Sequence, residues 1–144
     1  MNIRLATIEE AERVIALYND YDRPADTPPS PARAREIFTA ISSVGHVAVA
    51  EIDGALVGSY CLYICPSLSR SGRPFGVVEN VIVAATSRKL GVGKAMMKHA
   101  QESAKAANCY KLMLSTGCIK QENHLFYMAC GFIGDKVAFQ IRYD

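Results

Sequence analysis

Two periodicities run along this chain, and the points where one replaces the other mark its elements. Ile3, Arg4, Leu5 and Ala6 alternate as a short strand does. Thr7 with Glu10 makes a capping box. Ala11, Val14, Ile15, Leu17 and Tyr18 then recur at helical spacing, predicting a helix to about Asp20. The four prolines between Asp22 and Pro31 predict a loop, and Ser30 before Pro31 reads as an N-cap with proline at the first helical position. The second helix carries Ala34, Ile37, Phe38 and Ile41 on one face. From His46 the period is two, with apolar runs over 47–52 and 55–64 on either side of Asp53-Gly54, a strong hairpin signal. A polar loop over 66–76 leads to a strand over 77–84. A helix over 91–107 follows, with Val92, Met96, Ala100 and Ala104 toward the sheet, Lys94, Lys98, Gln101 and Lys105 outward, and Asn108 at its C-cap. A strand over 111–115, a short helix over 121–129 and a last strand over 137–143 complete the pattern.

This order predicts an α/β (α+β) fold: a mixed, mostly antiparallel central sheet flanked by helices on both faces. The crossover through helix 91–107 is expected to be right-handed and parallel. At 144 residues the chain reads as a single domain, 1–144. A formal charge of +2 is too weak to argue for nucleic acid. No apolar run approaches ~18 residues, so no membrane partner is expected. Met1, Asn2, Ile3 and Arg4 enter the amphipathic pattern directly, which points to the cytoplasm. The five cysteines (Cys61, Cys65, Cys109, Cys118, Cys130) form no C-x-x-C pair and read as reduced thiols. His46, His99 and His124 make no ligand spacing with them, so no metal is expected.

The densest chemistry lies where the β-branched run 77–84 turns into Arg88-Lys89-Leu90-Gly91-Val92-Gly93-Lys94. Gly91 and Gly93 let the backbone approach a ligand. The first-turn N–H groups of the helix have no internal acceptor, and a diphosphate supplies one, with Arg88, Lys89 and Lys94 adding charge. Two rival motifs fail. A P-loop needs glycine where Arg88 stands and Ser or Thr where Ala95 stands, and the dinucleotide fingerprint needs glycine at Met96.

Further along comes Phe126-Tyr127-Met128-Ala129-Cys130-Gly131-Phe132. In this order and spacing the two motifs resemble the GNAT superfamily of acyl-CoA-dependent N-acetyltransferases, closely over 77–132 and by element order elsewhere. The resemblance implies acetyl-CoA as cosubstrate, its pyrophosphate on Arg88, Gly91 and Gly93 with Lys89, Leu90, Val92 and Lys94 completing the loop. It further implies that the backbone of Val81, Ile82 and Val83 pairs with the pantetheine arm, and that Asn123 and Phe126 join the cofactor contacts. It also implies a homodimer, and Tyr127 as general acid. A phenol of pKa ~10 is protonated at neutral pH and close enough to a thiol at ~8.5 to share a proton with it. The other reading of Tyr127 is a core aromatic beside Phe126. The two cannot share a helix face, so one is expected in the core and the other in the cleft.

Two readings stand for Glu79, the one carboxylate of the central strand. It deprotonates or binds the amine, or it pairs with Arg73 or another loop residue. Alternation puts it on the side of Val81 and Val83. His124 is a further candidate base, and His46 and His99 read as structural. Glu79, Asn80 and Val81, with Cys109, Tyr110, Lys111 and Asn123, look like the glucosamine-phosphate N-acetyltransferase branch, which carries Glu-Asp where this chain has Glu79-Asn80. The segment 66–80 is similar to bacterial GNAT proteins of unassigned substrate. Asn80 and Arg73 are expected on the acceptor. Arg70, Arg73 and Lys120 suit an anionic one, or are solvated loop charges. The expected activity is direct acetyl transfer to the primary amine of a small, possibly anionic molecule, without an acetyl-enzyme, since nothing in the sequence activates Cys118 or Cys130. The competing readings are a non-catalytic acyl-CoA-binding module, which the presence of Tyr127 disfavours, and a protein N-acetyltransferase, which would need a long open groove.

Overall fold

In a computed structural model, residues 1–18, 27–117 and 121–143 are described. The expected end of the first helix at Asp20, residues 22–26 of the proline loop, Cys118 and Lys120 lie outside them. Strands β1 (Asn2–Leu5), β2 (Gly45–Ile52), β3 (Ala55–Cys65), β4 (Phe75–Val83) and β5 (Leu112–Leu114) form one sheet in the order β1-β2-β3-β4-β5. The first three pairings are antiparallel, and β4 with β5 is parallel. The hairpin between β2 and β3 turns at Asp53 and Gly54, both at positive φ as a two-residue turn of this hand requires.

Helices α1 (Ala11–Tyr18) and α2 (Pro31–Val44) cover one face, where Val14, Ala34 and Phe38 meet Val47, Val49 and Cys61. Helix α3 (Val92–Ala106) covers the other. There Met96, Met97, Ala100 and Ala104 bury themselves against Ala48, Tyr60, Leu62 and Val78. Helix α4 (Gln121–Ala129) joins the α3 side through Phe126 and Tyr127. Both expected start signals are present: Glu10 Oε2 accepts from the Thr7 N–H at 3.0 Å, and Ser30 Oγ accepts from the Arg33 N–H at 3.3 Å. Glu10 also receives both Nη atoms of Arg4, at 2.8 and 2.7 Å, while Arg4 donates to Glu51 at 2.6 Å. This pairing ties β1 and β2 to the entry of α1, and it holds the Glu10 carboxyl down at about 2.

Helix α3 ends on Asn108 at φ +56, with the N–H groups of Asn108 and Cys109 returning to the carbonyls of Lys105 and Ala104. That is a left-handed cap with Asn in the position glycine usually takes. One element differs from expectation. No strand forms over 137–143; those residues lie outside the sheet, and Val137, Phe139, Ile141 and Tyr143 are exposed. The apolar alternation there is genuine, but a strand also needs a neighbouring edge, and the segment takes none from its own chain.

Candidate active site

The site begins where β4 loses a neighbour. β4 pairs with β5 only from Gly76 to Val78, opposite Leu112 to Leu114. From Glu79 to Val83 no described strand flanks β4 on that side. Arg88 reaches back into this region and donates Nε to the Val83 carbonyl at 3.2 Å.

A bulge sits at the fork. Ser59 faces Ile82 and Cys61 faces Glu79, so β4 spends one residue more than β3 across this stretch. Asn80 absorbs it at φ +55, a left-handed conformation that Asn tolerates better than most residues. The bulge resets the faces. Glu79 lies opposite Cys61 on the α1–α2 side, whereas Val81 and Val83 pack with the α3 core. The expected common side for all three is therefore corrected, because strict alternation does not survive an inserted residue.

Beyond Val83 the chain makes a 3-10 turn over Ala85–Ser87, then passes Lys89 at φ +63 and Gly91 at φ +82. The first return bond of α3 runs from the Ala95 N–H to the Gly91 carbonyl at 3.0 Å. The N–H groups of Val92, Gly93 and Lys94 thus have no acceptor within the helix, and they sit at its positive end. Arg88, Lys89, Leu90 and Lys94 are exposed around them and Val92 is buried. At Gly93 the reason for glycine is contact with the protein itself. A Cβ there would stand 3.0 Å from Phe126 Cζ and 3.8 Å from Val83 Cγ2. Gly93 is where α3, α4 and the end of β4 meet. An open cavity of about 420 Å³ runs alongside, lined by Gly91, Lys94, Ala95, Lys98, Gln101, Ala129 and Cys130. Lys98 and Gln101 are missing from the sequence reading of the site. The signal was there, since Lys94, Lys98 and Gln101 share one helix face at three- and four-residue spacing.

Helix α4 ends in a motif that explains the residues after Tyr127. Gly131 stands at φ +91, its N–H bonds the Met128 carbonyl, and the Phe132 N–H bonds the Tyr127 carbonyl at 3.1 Å. These paired return bonds, closed by an apolar contact, form a Schellman cap, and the contact is Phe132 against Tyr127 at 6.0 Å between ring centroids. Phe126 packs edge-on to Tyr127 from the other side at 5.0 Å. Both rings are half-buried against the α3 core. The expected division, one ring to the core and one to the cleft, gives way to a shared aromatic cluster, because Phe132 folds back onto the helix end. Asn123 is half-buried in the first turn of α4.

On the α1–α2 side a polar cluster faces the bulge. Asn80 Nδ2 lies 3.9 Å from Cys61 Sγ. The Tyr18 hydroxyl sits beside Ser59 and Cys61, and burial pushes its pKa well above the ordinary phenol value. Burial likewise raises the Cys61 thiol and the Tyr63 phenol. Ser59, Cys61 and Tyr63 are alternate residues of β3, a period-two polar stripe within an apolar strand that could have marked this face from sequence. Glu79 and Asn80 are exposed at its edge, and among the described residues no cation pairs with Glu79. Arg73 is elsewhere: it donates Nε to the Asn108 carbonyl at 3.2 Å and Nη2 to the Cys109 carbonyl at 3.1 Å. Arg70 lies over the Tyr110 ring at 5.7 Å in the same neighbourhood. His99 Nδ1 meets the buried Tyr60 hydroxyl at 2.6 Å, beside His46, in the α3 core, and His124 is exposed on α4. Among the described residues no three His, Cys, Asp or Glu side chains gather as a metal site, and no helix is long and apolar enough to cross a membrane.

Residues 11–132 match the model of the acetyltransferase (GNAT) family. A protein of Trypanosoma brucei brucei named glucosamine 6-phosphate N-acetyltransferase is 35% identical over 79 residues, 55% of this chain and 52% of that one. A rice protein named probable glucosamine 6-phosphate N-acetyltransferase 2 is 30% identical over 113 residues, covering 74% and 66%. The chain thus spans between about half and two-thirds of the length of these relatives. Among solved structures, a putative acetyltransferase from Agrobacterium tumefaciens superposes with a TM-score of 0.90 at 35% identity over 99% of both chains. The glucosamine-6-phosphate N-acetyltransferase of Arabidopsis thaliana superposes at 0.87 with 22% identity over 99% of this chain and 98% of that one, a likeness of fold.

Proposed function

This chain belongs to the GNAT acetyltransferase family, and from that premise we propose that it transfers the acetyl group of acetyl-CoA to the primary amine of a small molecule. One observation carries the reading: the unflanked stretch of β4 runs straight into the positive end of α3. An extended amide-bearing arm that ends in a diphosphate matches those two features in series. The backbone of Val81, Ile82 and Val83 pairs with the arm. The first-turn N–H groups of α3, with Arg88, Lys89 and Lys94, hold the phosphates, and Leu90 and Val92 shape the loop. Phe126 and Asn123 bound the cleft from α4.

The acceptor enters from the Glu79 and Asn80 side. Glu79 takes a proton from the ammonium, directly or through water, and the free amine attacks the thioester carbonyl. An N–C bond forms, backbone N–H groups hold the oxyanion, and the C–S bond then breaks while Tyr127 protonates the departing thiolate; the amide nitrogen releases its surplus proton, through water, to restore the Tyr127 phenol. Exposure at a bulge suits the base, because it leaves the Glu79 carboxylate within reach of an entering amine. Glucosamine 6-phosphate is the first acceptor to try, with Asn80 the point at which this chain departs from the branch's Glu-Asp pair. Arg73, bound to the α3–β5 connection, orders the loop before β4 and reaches an acceptor only indirectly.

The test is thiol release from acetyl-CoA over a panel of amines, phosphorylated and not. Tyr127→Phe is expected to lower kcat about 100-fold or more with the KM for acetyl-CoA nearly unchanged. Full turnover in that variant would remove Tyr127 from the mechanism.

A further inference from the structure

Two imidazoles and a phenol meet inside the α3 layer, and the acetyl-transfer scheme uses none of them. His46 stands on β2, Tyr60 on β3 and His99 about two turns into α3. Their ring centroids lie 6.1 to 6.3 Å apart, and each pair meets edge-on. Tyr60 is fully buried, whereas both imidazoles are half-buried and so within a proton's reach. The surroundings are apolar: Ala48 and Ala50 on β2, Leu62 on β3, Ile3 on β1, and Met96 and Ala100 on α3. Ser103 of α3 lies beside the Tyr60 hydroxyl. Lys98 and Glu102, on the outer face of the same helix, pair with each other at 3.8 Å. Among the described residues no carboxylate acts on His46.

The hydrogen bonding is built for neutral rings. The phenol keeps its proton, because burial raises its pKa well above the ordinary phenol value. It donates to His99 Nδ1 at 2.6 Å, which places the imidazole's own proton on Nε2. A second proton arriving at Nδ1 would meet the hydroxyl hydrogen and force the phenol to turn away. His46 Nε2 is buried with no hydrogen-bond partner. As a bare lone pair that atom costs less than as a charged N–H, which is an unpaired donor beside another imidazole. Burial first, and then the nearby His99, lowers the His46 pKa below its ordinary 6.5.

We propose that His46, Tyr60 and His99 form a proton-operated latch, which clamps α3 to the sheet at neutral pH and loosens in weakly acidic solution. Two strands and a helix share the cluster, so a proton taken up there acts on the seam between them. A base held below its ordinary value contributes fully to stability above about 6.5, and that contribution is lost as pH falls below it. The window is separate from that of Glu10, which opens only below about 4.5. The latch involves no substrate, so its test is independent of the acetyl-transfer reading.

Thermal unfolding of the unliganded chain at about pH 7.5 and about pH 5.5 reads it. The wild-type Tm is expected to fall by about 3 °C or more between the two. His46→Gln, which cannot take up the proton, is expected to lose most of that fall, while His124→Gln on exposed α4 keeps it. A wild-type Tm that does not fall overturns the proposal. So does an undiminished fall in His46→Gln, or an equal loss of it in His124→Gln. Should His46→Gln fail to fold, ring-proton NMR on the wild type decides. A His46 midpoint below its ordinary 6.5, accompanied by shifts of the α3 amides around His99, supports the latch. A midpoint at or above that value, or α3 amides that stay still, overturns it.

Discussion

The two faces of the sheet are built by different means. On the α3 face, local backbone geometry sets everything. Gly91 starts the helix, Gly93 seats Phe126, and Gly131 turns Phe132 back onto Tyr127. Around these points the core is largely apolar, from Met96 to Ala104 against Tyr60 and Leu62. On the α1–α2 face a polar patch of Tyr18, Ser59, Cys61 and Asn80 surrounds a bulge, and none of these residues is adjacent to another in sequence. A cofactor common to a family can be held by backbone and a few glycines. An acceptor that differs among relatives must be read by side chains drawn from several elements. Under the proposed function these are two halves of one reaction site, and they are expected to fail independently.

The largest separation of the two is expected at Gly93. Gly93→Val pushes a branched side chain into the Phe126 ring, already 3.0 Å from where a Cβ would stand. It is expected to weaken acetyl-CoA binding by about tenfold or more, read by calorimetry, while the polar cluster across the sheet stays intact. Asn80→Val strikes the other face. A β-branched residue at φ +55 costs about 1–2 kcal/mol of strain, and the bulge is expected to shift. The KM for the amine should rise while acetyl-CoA binding holds; loss of acetyl-CoA binding alone would contradict the division of faces.

Gly131→Ala is a milder change on the cofactor side. Alanine at φ +91 is expected to lower stability by about 1 kcal/mol in denaturant titration and to reduce kcat by loosening Tyr127. The smallest effect concerns neither face but the clamp between Arg4 and Glu10. Arg4 holds Glu10 at about 2 in the folded chain, below its ordinary 4.5. A depressed carboxylate stabilises the fold fully above about 4.5 and loses that contribution as pH falls toward 2. Glu10→Gln is expected to flatten the stability profile across that window, and an unchanged profile would free the clamp of this role.

How far the sequence reached follows the same line. The hairpin at Asp53-Gly54, the caps at Ser30 and Asn108, and the start of α3 are written in neighbouring residues, so pattern alone found them within a residue or two. The bulge could not be counted out of an alternation, because Glu79, Val81 and Val83 alternate equally well in a regular strand. Asn80 alone marks it, as a residue that accepts a left-handed backbone. The polar stripe of Ser59, Cys61 and Tyr63 is legible in β3, but its meeting with Tyr18 joins α1 to β3 across distant sequence and has no local signature. The stripe from Val137 to Tyr143 shows the reverse case: the pattern is correct for a strand, yet those residues form none and stay outside the sheet.

Thermal unfolding of the wild-type chain with and without acetyl-CoA tests the central claim most directly. At about 100 times the dissociation constant, binding to the cleft and the α3 terminus adds about 2.7 kcal/mol, a clear upward shift in Tm. That shift is expected with acetyl-CoA and with CoA, none with ATP or NAD, and a much reduced one in Gly93→Val. No shift with any CoA species would contradict it, and the open flank of β4 would need another ligand.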